Sequence, residues 1–277
     1  MKIIYSERCL EFEAPGHPES PERLGRAYQF LKDEYEWIAP SPAREDDLLK
    51  VHTPEHLKRI KNLELHDPDC PKYPDIYEYA RLAAGAAILA SQMNGFSMMR
   101  PPGHHAKRDR VAGFCYLNNI AVAVSASQKK TLIVDIDGHH GDGTQAIFLG
   151  DEQVLFISLH SSPNYPGTGM RSERNCYNYP LFFHCGDEQY LNTLDRALRE
   201  ADLTGIAQVA ISAGFDTYER DPLASLGLSS GCYRQIGRRI AQLKLPMFAV
   251  LEGGYDVEHL GRNIHEFLQG LDQQAGA

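Results

Sequence analysis

The sequence predicts an α/β protein: one domain in three layers, α/β/α, built around a mostly parallel sheet. Strand-like apolar runs alternate with helix-like amphipathic segments along the chain, the pattern of βα units. The central run, Leu132-Ile133-Val134 with Ile136 beyond Asp135, is apolar without alternation, as expected of a strand covered on both faces. No repeat, low-complexity tract or linker interrupts the 277 residues, 43% of them apolar, so residues 1–277 read as a single domain with a substantial core.

Taken in order, residues 2–6 form a first strand. Ser20 reads as an N-cap with Pro21 at the first helical position, and Leu24, Ala27, Tyr28 and Leu31 share one helix face. Residues 46–52 and 54–63 predict two short helices, the second capped by Thr53, and residues 64–74 a polar, Pro-rich loop holding Asp69-Cys70-Pro71. Residues 76–93, rich in Ala and Leu, predict a buried helix. Then come a short strand at 96–99, a helix at 118–128, the central strand, a helix from 143, and a strand at 154–159 ending at His160. A turn-rich loop spans 165–169. A helix at 188–201, a strand at 207–213, a helix at 230–243, a strand at 247–251 and a helix at 260–271 complete the chain, with a frayed tail at 273–277.

Chemistry gathers after the strands. The central strand runs into Asp135, Asp137, His139, His140 and Asp142, with glycines between them. So many ionisable groups are costly to bury without a role. Asp137 and His139, two apart, share one side of an extended chain and suit one divalent metal. Other strands end in Arg100-Pro-Pro-Gly-His104-His105, in Gly214-Phe215-Asp216 and in Gly253-Gly254-Tyr255. In a parallel sheet these ends lie on one edge, where open α/β sheets bind substrates. Asp137, His139 and Asp216 form a three-ligand set that leaves a position open, as in catalytic zinc sites, and Fe(II) or Co(II) also accept N/O ligands. His104 and His105 are acid–base candidates, with Asp135 and Asp142 available to orient them. Tyr255 can donate its hydroxyl to a developing oxyanion.

Net charge is −9, from 28 basic and 37 acidic residues, with no Lys/Arg run. A phosphate-backbone binder is not expected, and a cationic substrate is favoured. The cysteines at 9, 70, 115, 176, 185 and 232 include no CxxC pair, and a reducing cytoplasm is the expected compartment. The N-terminus turns charged after three apolar residues, unlike a signal peptide, and no apolar run approaches membrane-spanning length.

The motifs RPPGHHA, GFCYLNN, VDIDGHHGDGT, SLH with YPGTG, GFD with DPL, and LEGGY, in that order, resemble the zinc-dependent histone deacetylase family. That family includes bacterial acetoin-utilisation proteins and acetylpolyamine amidohydrolases, and RPPGHHA and LEGGY look most like its class II branch. The resemblance runs from His17 nearly to the C-terminus and implies the arginase–deacetylase fold. It implies zinc on Asp137, His139 and Asp216. It implies His105 as general base and acid paired with Asp142, His104 as electrostatic partner paired with Asp135, and Tyr255 as carbonyl polariser. Gly113 matches the glycine whose carbonyl receives the substrate amide N–H. Phe114 and Tyr165 match the aromatic walls of an acyl-lysine tunnel, and Asp69 a rim carboxylate that holds the substrate. Asp135, Asp137, His139, Ser158 and Leu159 match a structural potassium site. Cys70 and Cys115 match a pair that forms a disulfide in one branch and here are expected as thiols.

Two positions depart from the pattern. Gly138 replaces a bulkier residue and predicts looser packing behind the metal. Leu223 stands where a polyamine-selective animal relative has Glu, which argues against that selectivity device. The resulting expectation is a metal-dependent amide hydrolase that deacetylates acetyl-lysine in a protein or peptide. An acetylpolyamine or other small-molecule amidohydrolase, a two-manganese ureohydrolase, and a non-catalytic acyl-lysine binding module remain as alternatives.

Overall fold

The computed structural model describes residues 1–272; the tail expected at 273–277 lies outside the described residues. One eight-stranded sheet runs in the order β2-β1-β3-β8-β7-β4-β5-β6. Its strands are β1 (Ile3–Ile4), β2 (Trp37–Ile38), β3 (Phe96–Ser97), β4 (Thr131–Asp135), β5 (Val154–Ser161), β6 (Cys176–Leu181), β7 (Gln208–Ala213) and β8 (Met247–Leu251). Every pairing is parallel, so the sheet is fully rather than mostly parallel. The interior strands β4, β5 and β7 are buried at every residue, which explains their unbroken apolar runs.

The helices are α1 (Pro21–Leu31), α2 (Glu45–Leu48), α3 (Pro54–Lys61), α4 (Ile76–Met93), α5 (Asn119–Ser127), α6 (Asp142–Phe148), α7 (Gly186–Glu200), α8 (Ser230–Ala241) and α9 (Leu260–Asp272). The alanine-rich α4 packs on α5 and against β1, β3 and β8; its buried Ala80, Ala83, Ala84 and Ala87 let the backbone lie close to the sheet. A second group runs α1, α9, α8 and α7, with α7 closing on β5 and β6. The α8–α9 crossing is tight because a Cβ at Gly270 would lie 2.2 Å from the Arg234 carbonyl oxygen.

Thr53 caps α3 as expected, its hydroxyl accepting the His56 N–H at 3.2 Å. Ser20 occupies the N-cap of α1, but its side chain makes no capping bond. The helix expected at 46–52 is shorter and starts one residue earlier. The sequence reading missed β2 and β6. The first has only two residues, and the second carries Pro180, which a ladder accepts at a sheet edge.

Candidate active site

The strand order decides the site. β3, β8, β7 and β4 are consecutive neighbours, so the four segments bearing chemistry leave the same edge side by side. A ligand atom from each of Asp137, His139 and Asp216 lies within 4.8 Å of the others, and all three residues are buried. Main-chain N–H groups fix the carboxylates. Asp137 Oδ1 accepts from His139 N at 2.9 Å and Oδ2 from Gly253 N at 2.8 Å, while Asp216 Oδ1 accepts from Gly138 N at 2.6 Å. Asp216 Oδ2 is buried without a hydrogen bond, although His139 Nδ1 is 2.8 Å away; the contact lacks hydrogen-bond geometry. An oxygen left in that condition is costly. Burial opposes charge on His139, yet Asp216 and Asp137 outweigh it and raise the imidazole to about 10. The pocket between the three side chains therefore favours positive charge, and their N and O donors fit a divalent cation.

The tandem histidines sit beside this set, their ring centroids 4.0 Å apart. His105 Nδ1 is 2.9 Å from Asp142 Oδ1, and Lys107 Nζ is 2.7 Å from Asp142 Oδ2. Burial would raise Asp142, but His105 and Lys107 together hold it down to about 2. A carboxylate at Nδ1 fixes the tautomer with its proton there and leaves Nε2 as a base. Burial and the neighbouring His104 push His105 down to about 3, so the ring is neutral at pH 7. His104 differs. Its Nδ1 lies 3.1 Å from Asp135 Oδ2 and its Nε2 3.7 Å from Asp137 Oδ1. Burial is outweighed there by Asp137 and Asp135, and the ring is raised well above its ordinary value. A cation at the triad would draw on Asp137, one of these two carboxylates, and lower the ring toward its ordinary value, with Asp135 still holding it up.

Above the triad opens a cavity of about 270 Å³ lined by Asp69, Gly113, Phe114, Tyr165 and Leu223, with His105, His139 and Tyr255 also on its wall. The structure thus gathers all five substrate-contact candidates. The Tyr165 and His105 ring centroids are 5.0 Å apart, and the Phe114 and Tyr255 rings stand nearly perpendicular with centroids 5.8 Å apart. Phe114 has φ +69, a conformation that costs a non-glycine residue free energy and is retained where the surroundings enforce it. Gly113 has φ +49, and a Cβ there would stand 2.7 Å from His105 Cδ2. The Gly113 carbonyl already accepts the Cys115 thiol at 3.3 Å, which leaves its second lone pair for a ligand. The Tyr255 phenol is pushed well above its ordinary value by burial, with Arg23 opposing, so it is a neutral donor.

Some expectations change. Gly138 does not loosen the packing: a Cβ there would meet Ala224 Cβ at 2.6 Å, so Ala224 fills the space. Cys70 and Cys115 are buried free thiols, with Cys70 Sγ 3.8 Å from the Cys115 carbonyl oxygen. β5 pairs with β4 and sets Ser158 opposite Asp135; the Ser158 hydroxyl meets His160 Nδ1 at 2.9 Å.

Sequence reasoning missed three supporting residues. Glu252 Oε2 accepts the N–H groups of Gly103 and His104 at 2.7 and 3.1 Å, tying the LEGGY turn to the tandem-histidine loop. Its position between a strand end and two glycines was the available signal. Arg23 donates to the Gly254 and Glu252 carbonyls at 2.6 and 2.8 Å, with its guanidinium 4.8 Å from the Tyr255 ring centroid. It lies 231 residues from Gly254, and nothing local marks it. Asn164, on the cavity wall, carries no motif.

The sequence profile of the histone deacetylase domain matches residues 17–271. A probable deacetylase of Archaeoglobus fulgidus is 39% identical, the alignment covering 92% of this chain and 81% of that protein. Acetylpolyamine amidohydrolase 1 of Pseudomonas aeruginosa is 41% identical over 72% of this chain and 62% of its own length. The crystal structure of an acetylpolyamine aminohydrolase from Burkholderia pseudomallei superposes with a TM-score of 0.92 at 25% identity, covering 98% of both chains. With the fold, the motifs and these relatives in agreement, the chain belongs to the histone deacetylase family.

Proposed function

We propose that this protein is a metal-dependent amide hydrolase that removes the acetyl group from an N-acetylated aliphatic amine. The observation that carries the reading is the buried Asp137–His139–Asp216 set beside the cavity that His105 and Tyr255 line. Asp137, His139 and Asp216 would hold a divalent cation, zinc foremost with Fe(II) or Co(II) compatible, which would supply Lewis acidity and acidify a water. His105 Nε2, neutral and oriented by Asp142, accepts a proton as water attacks and delivers it to the departing amine. His104 contributes charge beside it. The Tyr255 hydroxyl donates to the acyl oxygen as negative charge develops there. Phe114 and Tyr165 flank the aliphatic stem, and the Gly113 carbonyl accepts the amide N–H. A potassium ion near Asp135, Asp137, His139, Ser158 and Leu159 belongs to this proposal.

Acetyl-lysine in a peptide was the first expectation from the sequence. Relatives named as acetylpolyamine amidohydrolases, and the exposed Asp69 carboxylate at the cavity rim, favour a small acetylpolyamine instead. The rim carboxylate complements a distal ammonium. Six unpaired cysteines fit a reducing compartment, and the cytoplasm is the proposed location. No described helix is long and apolar enough to cross a membrane.

The test is turnover of N-acetylputrescine, N8-acetylspermidine and an acetyl-lysine peptide, with metal content measured on the same protein. One ion per chain with turnover is expected, faster on the polyamines. Preference for the peptide would reverse the substrate assignment. Two ions per chain would favour a ureohydrolase, and acyl-lysine binding without turnover a binding module.

A further inference from the structure

Asp221 is a carboxylate buried to 6% exposure, with no part in the chemistry above. Its partners are main-chain N–H groups. Oδ2 accepts from Tyr255 N at 2.6 Å and from Asp256 N at 3.3 Å; Oδ1 accepts from Leu223 N at 2.9 Å. Its own N–H donates to the Tyr218 carbonyl at 3.0 Å, which holds the turn that begins at Asp216. These N–H groups oppose, without cancelling, the rise to about 7 that burial and Asp216 impose on the carboxyl, and they occupy both of its oxygens as acceptors. The turn they belong to passes through Gly254 at φ +122, a conformation that L side chains rarely adopt. Arg23 holds the carbonyl groups of that turn, at Glu252 and Gly254, and Asp221 holds its N–H groups, at Tyr255 and Asp256. A guanidinium on the acceptors and a carboxyl group on the donors clamp the same few peptide units from complementary directions.

We propose that Asp221 is the positioning residue for Tyr255, fixing the backbone from which the phenol reaches the acyl oxygen while its other oxygen anchors Leu223 at the cavity rim. The proposal rests on the amide-hydrolase reading for its consequence and on the hydrogen-bond geometry for its existence. Asparagine at 221 keeps one acceptor and turns an N–H donor toward the other amide, so at least one of the two anchored segments is released; alanine keeps neither acceptor and releases both. Misplacing a reacting group by about 1 Å costs roughly 10²-fold in rate.

The test uses the metal-loaded full chain. Asp221→Asn is expected to lower kcat about 10- to 100-fold on N-acetylputrescine with unchanged metal content. In a Tyr255→Phe background the same substitution should change kcat less than about twofold, because the group it positions is already gone. Equal losses in both backgrounds, or wild-type kcat in folded Asp221→Asn and folded Asp221→Ala alike, would overturn the proposal. Amide hydrogen exchange supplies a readout free of turnover. The Tyr255 and Asp256 amides of the wild-type protein should be protected, and Asp221→Ala, which keeps neither acceptor, should release them. Wild-type amides exchanging like those of an open loop would overturn the clamp even if the variant failed to fold. Protected, Asp221-dependent amides in a protein that hydrolyses none of the three substrates would uphold the clamp and refute the hydrolase reading instead.

Discussion

Gly113→Ala tests whether the cavity wall is as tightly built as its geometry requires. The added Cβ would lie 2.7 Å from His105 Cδ2 and 3.0 Å from both Cε1 and the hydroxyl of Tyr165, whereas ordinary contact begins at 3.4 Å. The His105 ring must therefore retreat by about 0.7 Å and Tyr165 by about 0.4 Å, or the backbone must move. Keeping φ +49 with a side chain costs about 1–2 kcal/mol. Overpacking adds about 1–3 kcal/mol. If the fold absorbs the strain, stability falls by roughly 2–5 kcal/mol. If the site absorbs it, His105 leaves its position, and kcat/KM falls roughly 10- to 100-fold. Urea unfolding, kcat and KM on N-acetylputrescine, and metal content on one preparation separate the two. A variant with the wild-type urea midpoint and wild-type kcat/KM would refute the reasoning, because it would mean that the wall has room the distances deny.

Asp216→Ala should lose the bound metal together with activity, measured by metal analysis after dialysis, since it removes one of three donors and leaves Asp137 and His139 alone. Tyr255→Phe should keep the metal and lower kcat by about 10²- to 10³-fold, the usual effect of deleting an oxyanion donor; an unchanged kcat would remove Tyr255 from that role. His52 gives a pH test away from the metal set. Its Nδ1 donates to the Lys107 carbonyl at 3.0 Å and its Nε2 accepts the Asn118 N–H at 2.9 Å, so the ring is held neutral. Burial is the main cause of its depression to about 3, from an unfolded value of 6.5. Between those values the unfolded chain binds the extra proton, so this contribution to stability is complete above about pH 6.5 and declines as pH falls toward 3. The stability advantage of the wild type over His52→Gln should narrow across that window in urea titrations. A gap independent of pH would mean that His52 titrates freely.

Local pattern carried much of this protein. The boundaries of α4 and β8 follow from composition and from apolar runs. The spacing of Asp137 and His139 marks a ligand pair because alternate residues of an extended chain share a side. Glycine next to candidate site residues, at 113 beside Phe114 and at 214 shortly before Asp216, stands where a side chain would collide with His105 or Asp137. What local pattern does not contain is the neighbour order of strands. Periodicity states that a segment is a strand covered on both faces, not which strand lies beside it.

Tertiary structure alone inserts β8 and β7 between β3 and β4, and this brings Asp216 to Asp137, Glu252 to the His104 loop and Arg23 to Gly254. Pro180 hid β6 because a proline reads as a break until the strand is known to lie at an edge. The space behind Gly138 looked empty in sequence because Ala224, which fills it, arrives from a loop more than eighty residues away. Residue types and spacing thus determined which groups can do the chemistry. Packing of distant segments, driven by burial of apolar surface with no regard to sequence separation, decided which of them meet and how closely they are held.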